Sequence, residues 1–165
     1  MIGENQNDVD KNDQKAVAGR LVFRPTFLKG LQVGGSGVWG NGARADRPRR
    51  DRLGSEFLFV RGPLTLKGEL MTGKDGLLHR RGYYGHFAYH LTPKWEGLFR
   101  FDSWDPDTRR ETSAANVIER DYVTGFNYFI NESHVKLQFN YLRKTFGNGI
   151  VAPQNLGGLK LQTWW

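Results

Sequence analysis

The run Val135-Lys136-Leu137-Gln138-Phe139-Asn140-Tyr141-Leu142 alternates between two kinds of residue. Val135, Leu137, Phe139 and Tyr141 fall on one face of an extended chain. Lys136, Gln138, Asn140 and Leu142 fall on the other. Period two is the mark of a β-strand whose two sides meet different surroundings. The pattern recurs along the chain. Tyr122, Thr124, Phe126 and Tyr128 face one way. Tyr83, Gly85, Phe87, Tyr89 and Leu91 oppose Tyr84, His86, Ala88 and His90. Leu64, Leu66, Gly68 and Leu70 oppose Thr65, Lys67 and Glu69. Leu159, Leu161, Thr163 and Trp165 oppose Lys160, Gln162 and Trp164. No run keeps a helical period for three turns. The alternation predicts strands over 16–24, 30–40, 53–61, 63–71, 82–92, 95–104, 119–130, 134–145 and 157–165.

Composition agrees with an all-β chain. Aromatic residues make up 13% of the 165 residues, and there are 21 Gly. That mixture suits strands joined by turns. No stretch approaches 18 consecutive apolar residues, so no transmembrane helix is expected. There is no Cys, which excludes disulfides and thiolate metal sites. The net charge of +7 permits anionic partners: small anions, anionic lipid or nucleic acid. Met1 to Asp8 has neither a basic nor an apolar region, so a signal peptide is not expected there.

The connections between the predicted strands sort by length. Those over 25–29, 62, 93–94 and 131–133 are tight, whereas those over 41–52, 72–81, 105–118 and 146–156 are long. Short and long alternate. A membrane barrel with turns on one side and loops on the other has this asymmetry, and a soluble sandwich has no need of it. The predicted strands run about 9–12 residues, enough to cross a bilayer at a tilt. Trp39, Tyr83, Tyr89, Trp95, Trp104, Tyr122, Tyr128, Trp164 and Trp165 lie near strand ends, where amphipathic rings suit headgroup depth. A barrel closes by pairing its last strand with its first. An aromatic final residue then sits at an interfacial girdle.

Several stretches in order resemble the C-terminal half of the phosphate-selective porin O/P family. They are Ala18-Gly19-Arg20-Leu21-Val22-Phe23-Arg24-Pro25, Gly30-Leu31-Gln32-Val33-Gly34-Gly35-Ser36-Gly37 and Gly54-Ser55-Glu56-Phe57. Gly62-Pro63-Leu64-Thr65-Leu66-Lys67-Gly68-Glu69-Leu70-Met71, Gly82-Tyr83-Tyr84 and Arg100-Phe101-Asp102-Ser103-Trp104-Asp105-Pro106-Asp107 follow, with the aromatic terminus. The resemblance spans most of 16–165. It implies an antiparallel up-and-down transmembrane β-barrel in the bacterial outer membrane, roughly 16-stranded and trimeric, that conducts anions past basic residues. About nine strands cannot complete such a barrel. The expectation is therefore a C-terminal barrel segment over 16–165, preceded by a polar lead-in over 1–15 that belongs to an extracellular loop. The terminal Trp165 resembles the signal read by the barrel-assembly machinery. The implied partners are small anions such as phosphate, outer-membrane lipid and two further copies of the chain, with no nucleic acid and no cofactor.

Two sets of basic residues are candidates for the anion path. Arg20, Arg24, Lys67, Arg100, Lys136 and Lys160 fall on polar faces and are expected to line the lumen. Acids share those faces at Glu56, Glu69, Glu96 and Asp102, so cross-strand acid–base pairs that merely brace the wall are the competing explanation. The stretch Arg44-Ala45-Asp46-Arg47-Pro48-Arg49-Arg50-Asp51-Arg52 holds five Arg and two Asp. Arg44, Arg47, Arg49, Arg50 and Arg52 are expected at the extracellular mouth, where a guanidinium fork suits oxyanions. A solvated loop touching lipid phosphates, or nothing, is the plainer alternative.

Other motifs carry less. His86 and His90 lie roughly 13 Å apart along a strand, too far for one metal ion. Asp102, Asp105 and Asp107 lack the spacing of a Ca²⁺ loop. No phosphate loop, catalytic serine set or nucleophilic Cys is visible, so an enzyme is not expected. The alternative to a channel is a soluble or surface all-β module whose basic loop binds nucleic acid or an acidic glycan. The two differ over whether the apolar faces meet lipid or pack into a dry core.

Overall fold

The computed structural model describes residues 16–40, 50–109, 117–131, 135–147 and 151–163. Nine strands form one antiparallel sheet in simple chain order: β1 (Val17–Phe23), β2 (Leu31–Trp39), β3 (Arg50–Arg61), β4 (Leu64–Asp75), β5 (Leu78–His90), β6 (Trp95–Asp105), β7 (Glu119–Asn131), β8 (Val135–Phe146) and β9 (Gln154–Thr163). Each predicted strand is present. β1 and β9 form the two edges of the sheet and are not paired with each other. The expected closure of last strand onto first is therefore not made between these two elements.

The register aligns the apolar positions of all nine strands on one face. Leu21 sits opposite Gly35, Val33 opposite Phe57, and Leu66 opposite Phe87. Phe99 pairs with Phe87 and Thr124, Phe126 with Phe139, and Phe139 with Leu159. A one-residue slip at any strand would have sent its apolar set to the other side. This face is covered by no second layer among the described residues. Leu21 is 78% exposed, Phe126 52% and Phe139 44%, and the buried Ala88 lies on the opposite face. The sheet is therefore a single layer with a wide bare apolar face and a polar opposite face.

Two of the turns at one end depend on glycine. Gly62 has φ 56° and is followed by Pro63, whose ring holds φ negative. That sequence of signs matches the primed turn that hairpins favour. Gly30 has φ 93°, and a β-carbon there would lie 1.9 Å from the Val60 carbonyl oxygen, so only Gly fits.

Three boundaries differ from the sequence expectation. The connection expected over 72–81 is a hairpin with only Gly76 and Leu77 between β4 and β5, and Gly76 has φ 62°. The alternation of short and long connections thus has an exception. β3 begins at Arg50, so Arg50 and Arg52 lie in a strand rather than in a loop. The Arg50 amide donates to the Gly40 carbonyl at 2.8 Å, which extends the ladder. β9 begins at Gln154, because Gln154 and Asn155 pair with Lys144 and Arg143.

The aromatic residues also divide by face. Trp95 and Tyr128 stack with ring centres 4.7 Å apart on the apolar face near the tight turns. Tyr83, Phe101 and Tyr122 form a row farther along, with centroid separations of 6.0 and 5.1 Å. Trp104 does not belong with them. Its partners are Gly82 and Glu119, on the polar face, and its ring lies over Gly82. Parity along β6, not nearness to a strand end, sets where the ring points.

Candidate functional site

The polar face gathers charges from every strand except β2. Arg20, Lys67, Arg100, Lys136 and Lys160 all fall on it by register. Arg24 follows β1 and donates from Nε to Gln32 Oε1 at 2.9 Å, on the same face. The six expected lumen cations thus share one surface. Their surroundings separate them into two kinds.

Arg20 and Arg100 are neutralised. Arg20 pairs with Glu56 across two strands. Arg100 grips Asp102 through Nε, at 3.0 and 2.8 Å, and through Nη2 at 2.5 Å. Its guanidinium also lies over the Tyr84 ring, 4.5 Å from the centroid. A bidentate grip plus ring stacking fixes the side chain. The wall-bracing explanation fits Arg20, whose partner lies two strands away; Arg100 and Asp102 both belong to β6, so their pair orders one strand and does not join two.

Lys67, Lys136 and Lys160 have no carboxylate within ion-pair distance among the described residues. Lys136 instead reaches over the Phe129 ring at 5.6 Å. Lys67 sits beside His86, and His86 beside Arg100, so three basic side chains follow one another across β4, β5 and β6. The next row toward the loop end carries Glu56, Glu69, Tyr84, Asp102 and Asp121 in register. A basic row and an acidic row therefore run side by side. Lys144 supplies charge to the acidic one, 2.8 Å from Glu119 and 3.8 Å from Asp121.

Nearer the tight turns the face is held by neutral and ionic hydrogen bonds. His90 Nε2 lies 3.2 Å from Glu96. Asn127 donates to Glu96 at 2.6 Å, and Gln138 donates to Asn127 at 3.1 Å. These contacts chain β5 to β8. His90 is thus tied to Glu96, and among the described residues no cluster of His, Asp or Glu has metal-binding geometry. Asp105 and Asp107 are buried, and each carboxylate accepts a backbone amide two residues on, at 3.2 Å. They shape the start of the connection after β6.

At the other end, Asp75 forms the centre of a cluster that the sequence reading missed. It is 6% exposed. Arg52 Nη2 lies 2.5 Å from it, Arg80 Nε 3.3 Å and Arg50 Nε 4.0 Å. Three guanidinium groups around one carboxylate leave a local positive excess. Arg50 and Arg52 reach it from β3, and Arg80 from β5. Arg80 was not among the expected residues. The signal was present in Lys74-Asp75-Gly76-Leu77, since Asp-Gly between strands marks a two-residue hairpin. Reading it so would have placed Asp75 and Arg80 at the same level. Arg44, Arg47 and Arg49 lie outside the described residues, as do the 1–15 lead-in and the terminal Trp164 and Trp165.

A face of this kind has no catalytic constellation among the described residues. It offers a broad polar surface with fixed ion pairs and a few uncommitted amines. Comparison with known proteins bears on what such a surface serves. No curated protein and no solved structure shows a significant match to the chain. Residues 3–148 match the sequence profile of the family described as Phosphate-selective porin O and P, a channel-forming class. That match covers most of the 165 residues and includes β1 to β8, so the chain belongs to the phosphate-selective porin O and P family.

Proposed function

We propose that the sheet is a stretch of the wall of an outer-membrane porin, through which small anions of the phosphate type diffuse passively. The single observation that carries this reading is the bare apolar face. Nine strands in register present Leu, Val, Phe and Tyr outward with nothing packed on them. Water is a poor neighbour for so much contiguous apolar surface, whereas hydrocarbon is a suitable one. A membrane also demands that backbone groups be satisfied within the sheet, which the continuous ladder from β1 to β9 does along its interior. The edges of β1 and β9 then need strands beside them to finish a barrel, and the homotrimer that the family resemblance suggests would assemble from such barrels.

The polar face would line the water-filled lumen. Lys67, Lys136, Lys160 and Arg24 act there as uncommitted cations that raise the local anion concentration. Arg20, bound to Glu56, ties β1 to β3, and Arg100 is held against its own strand by Asp102. The three arginines around Asp75 set a positive potential at the loop end. There is no chemical step and no turnover; selectivity comes from charge, and rate from the lumen's width.

Reconstitution in planar bilayers of a completed barrel that contains this wall, under a salt gradient, tests this. The reading predicts stepwise conductance with a reversal potential on the anion side, reduced by added phosphate. A pore that prefers cations, or no pore from a protein that inserts, would refute it.

A further inference from the structure

The apolar face is not uniform along its length. At the tight-turn end it carries one basic residue, Arg61, which pairs with Leu64. At the loop end the same face carries Lys74 and His79, paired with each other, then Arg81, Arg120 and Arg143. Arg120 pairs with Thr145, and Arg143 with Tyr122, so the two arginines are diagonal neighbours, roughly 7–8 Å apart at the backbone.

On the polar face the cations are mixed: Arg20, Arg52, Arg80, Arg100 and Lys144 hold carboxylates, whereas Lys67, Lys136 and Lys160 do not among the described residues. On the outer face, Lys74, Arg81, Arg120 and Arg143 make no ion pair among the described residues. The cross-strand neighbours of Arg120 and Arg143 are Ser103, Thr145, Tyr122 and Asn155, none of them charged. Asp105 does sit opposite Arg81, but it is buried and accepts the Asp107 amide. Asp51 lies opposite Lys74. Beside this band the surface has a hollow whose lining includes Thr72, Lys74, His79, Arg80 and Arg81, with Asp51 as its one acid.

We infer that Arg120 and Arg143, with Lys74 and Arg81, form an outward docking band for the phosphate groups of phosphorylated glycolipid in the outer leaflet. The inference rests on the proposed membrane orientation of the apolar face. Its ground is position and charge together. The band continues the apolar face directly past the Tyr83–Phe101–Tyr122 row, at the depth where acyl chains give way to headgroups. Guanidinium forks match phosphate oxygens there at low dielectric. Among the described strand residues, the opposite rim carries only Arg61 on this face.

The test uses the protein reconstituted in phosphatidylcholine vesicles that contain either bis-phosphorylated lipid A or the same lipid with its phosphates removed. Bound glycolipid is counted by mass spectrometry after mild extraction. The expected result is at least tenfold greater retention of the phosphorylated form. That excess is lost in the double variant Arg120→Gln/Arg143→Gln and kept in Arg120→Lys/Arg143→Lys. Free inorganic phosphate at millimolar concentration should not displace the lipid. Insertion with equal retention of both lipids overturns the inference alone, as does an unaffected double glutamine variant or complete displacement by free phosphate. Failure to insert overturns the porin reading, and the docking band with it.

Discussion

Replacing Phe139 by arginine probes the apolar face at its middle. Phe139 lies in β8 between Phe126 on β7 and Leu159 on β9, and 44% of it is exposed on the bare face. If that face meets hydrocarbon, an arginine near the bilayer midplane costs about 2–4 kcal/mol. Losing the ring's contact with lipid adds ~1 kcal/mol, a fraction of the 1.5–3 kcal/mol of a fully buried large side chain. The sum of about 3–5 kcal/mol corresponds to two to four orders of magnitude in the folding equilibrium. The matched control is Leu156→Arg. Leu156 is 64% exposed, pairs with Leu142, and lies on the polar face. The same change of side-chain class there should cost under ~1 kcal/mol. Urea titration in lipid vesicles, followed by tryptophan fluorescence, reads both. Equal costs for the two variants, or a larger cost for Leu156→Arg, would refute the assignment of faces.

Further outcomes follow from individual contacts. Lys67→Glu combined with Lys160→Glu should move the reversal potential toward cation preference, since neither amine is engaged by a carboxylate among the described residues; Arg100→Gln, which removes one positive charge and leaves Asp102 unbalanced, should move it the same way but less. Asp75→Asn should destabilise the barrel by about 1–3 kcal/mol, because Arg50, Arg52 and Arg80 then face one another without a counter-charge. The same variant should strengthen anion preference in planar bilayers. Gly30→Ala should cost about 1–3 kcal/mol in the urea titration, from its φ of 93° and the close Val60 carbonyl.

Much of this architecture was legible in the residue order. Period two in stretches such as Val135 to Leu142 fixed both the strands and their faces, because a membrane wall demands apolar residues on every second position. The pattern faded where that demand ends. In Thr72-Gly73-Lys74-Asp75 neither face is apolar, so β4 continues without alternating and the hairpin at Gly76 was taken for a loop. Arg50 to Arg52 in β3 vanished from the strand reading for the same reason. Trp104 was placed by its nearness to a strand end, although its parity puts it with Asp102 and Arg100 on the polar face. Ion-pair choice was not readable at all. Arg20 opposes Ser36 and yet reaches Glu56, a diagonal two strands away, and such a diagonal needs the exact register of both hairpins.

The most direct test of the central claim uses the absence of native Cys. Single cysteines at Phe87, Ala88, Phe126, Asn127, Phe139 and Asn140 would carry nitroxide labels in the vesicle-bound protein. Collision with oxygen, which concentrates in hydrocarbon, is then compared with collision with a water-soluble nickel chelate. The account predicts period two: labels at 87, 126 and 139 favour oxygen, and labels at 88, 127 and 140 favour the chelate or are shielded from both. Labels at 87, 126 and 139 that are shielded from both reagents would mean a dry protein core behind that face, and would contradict it.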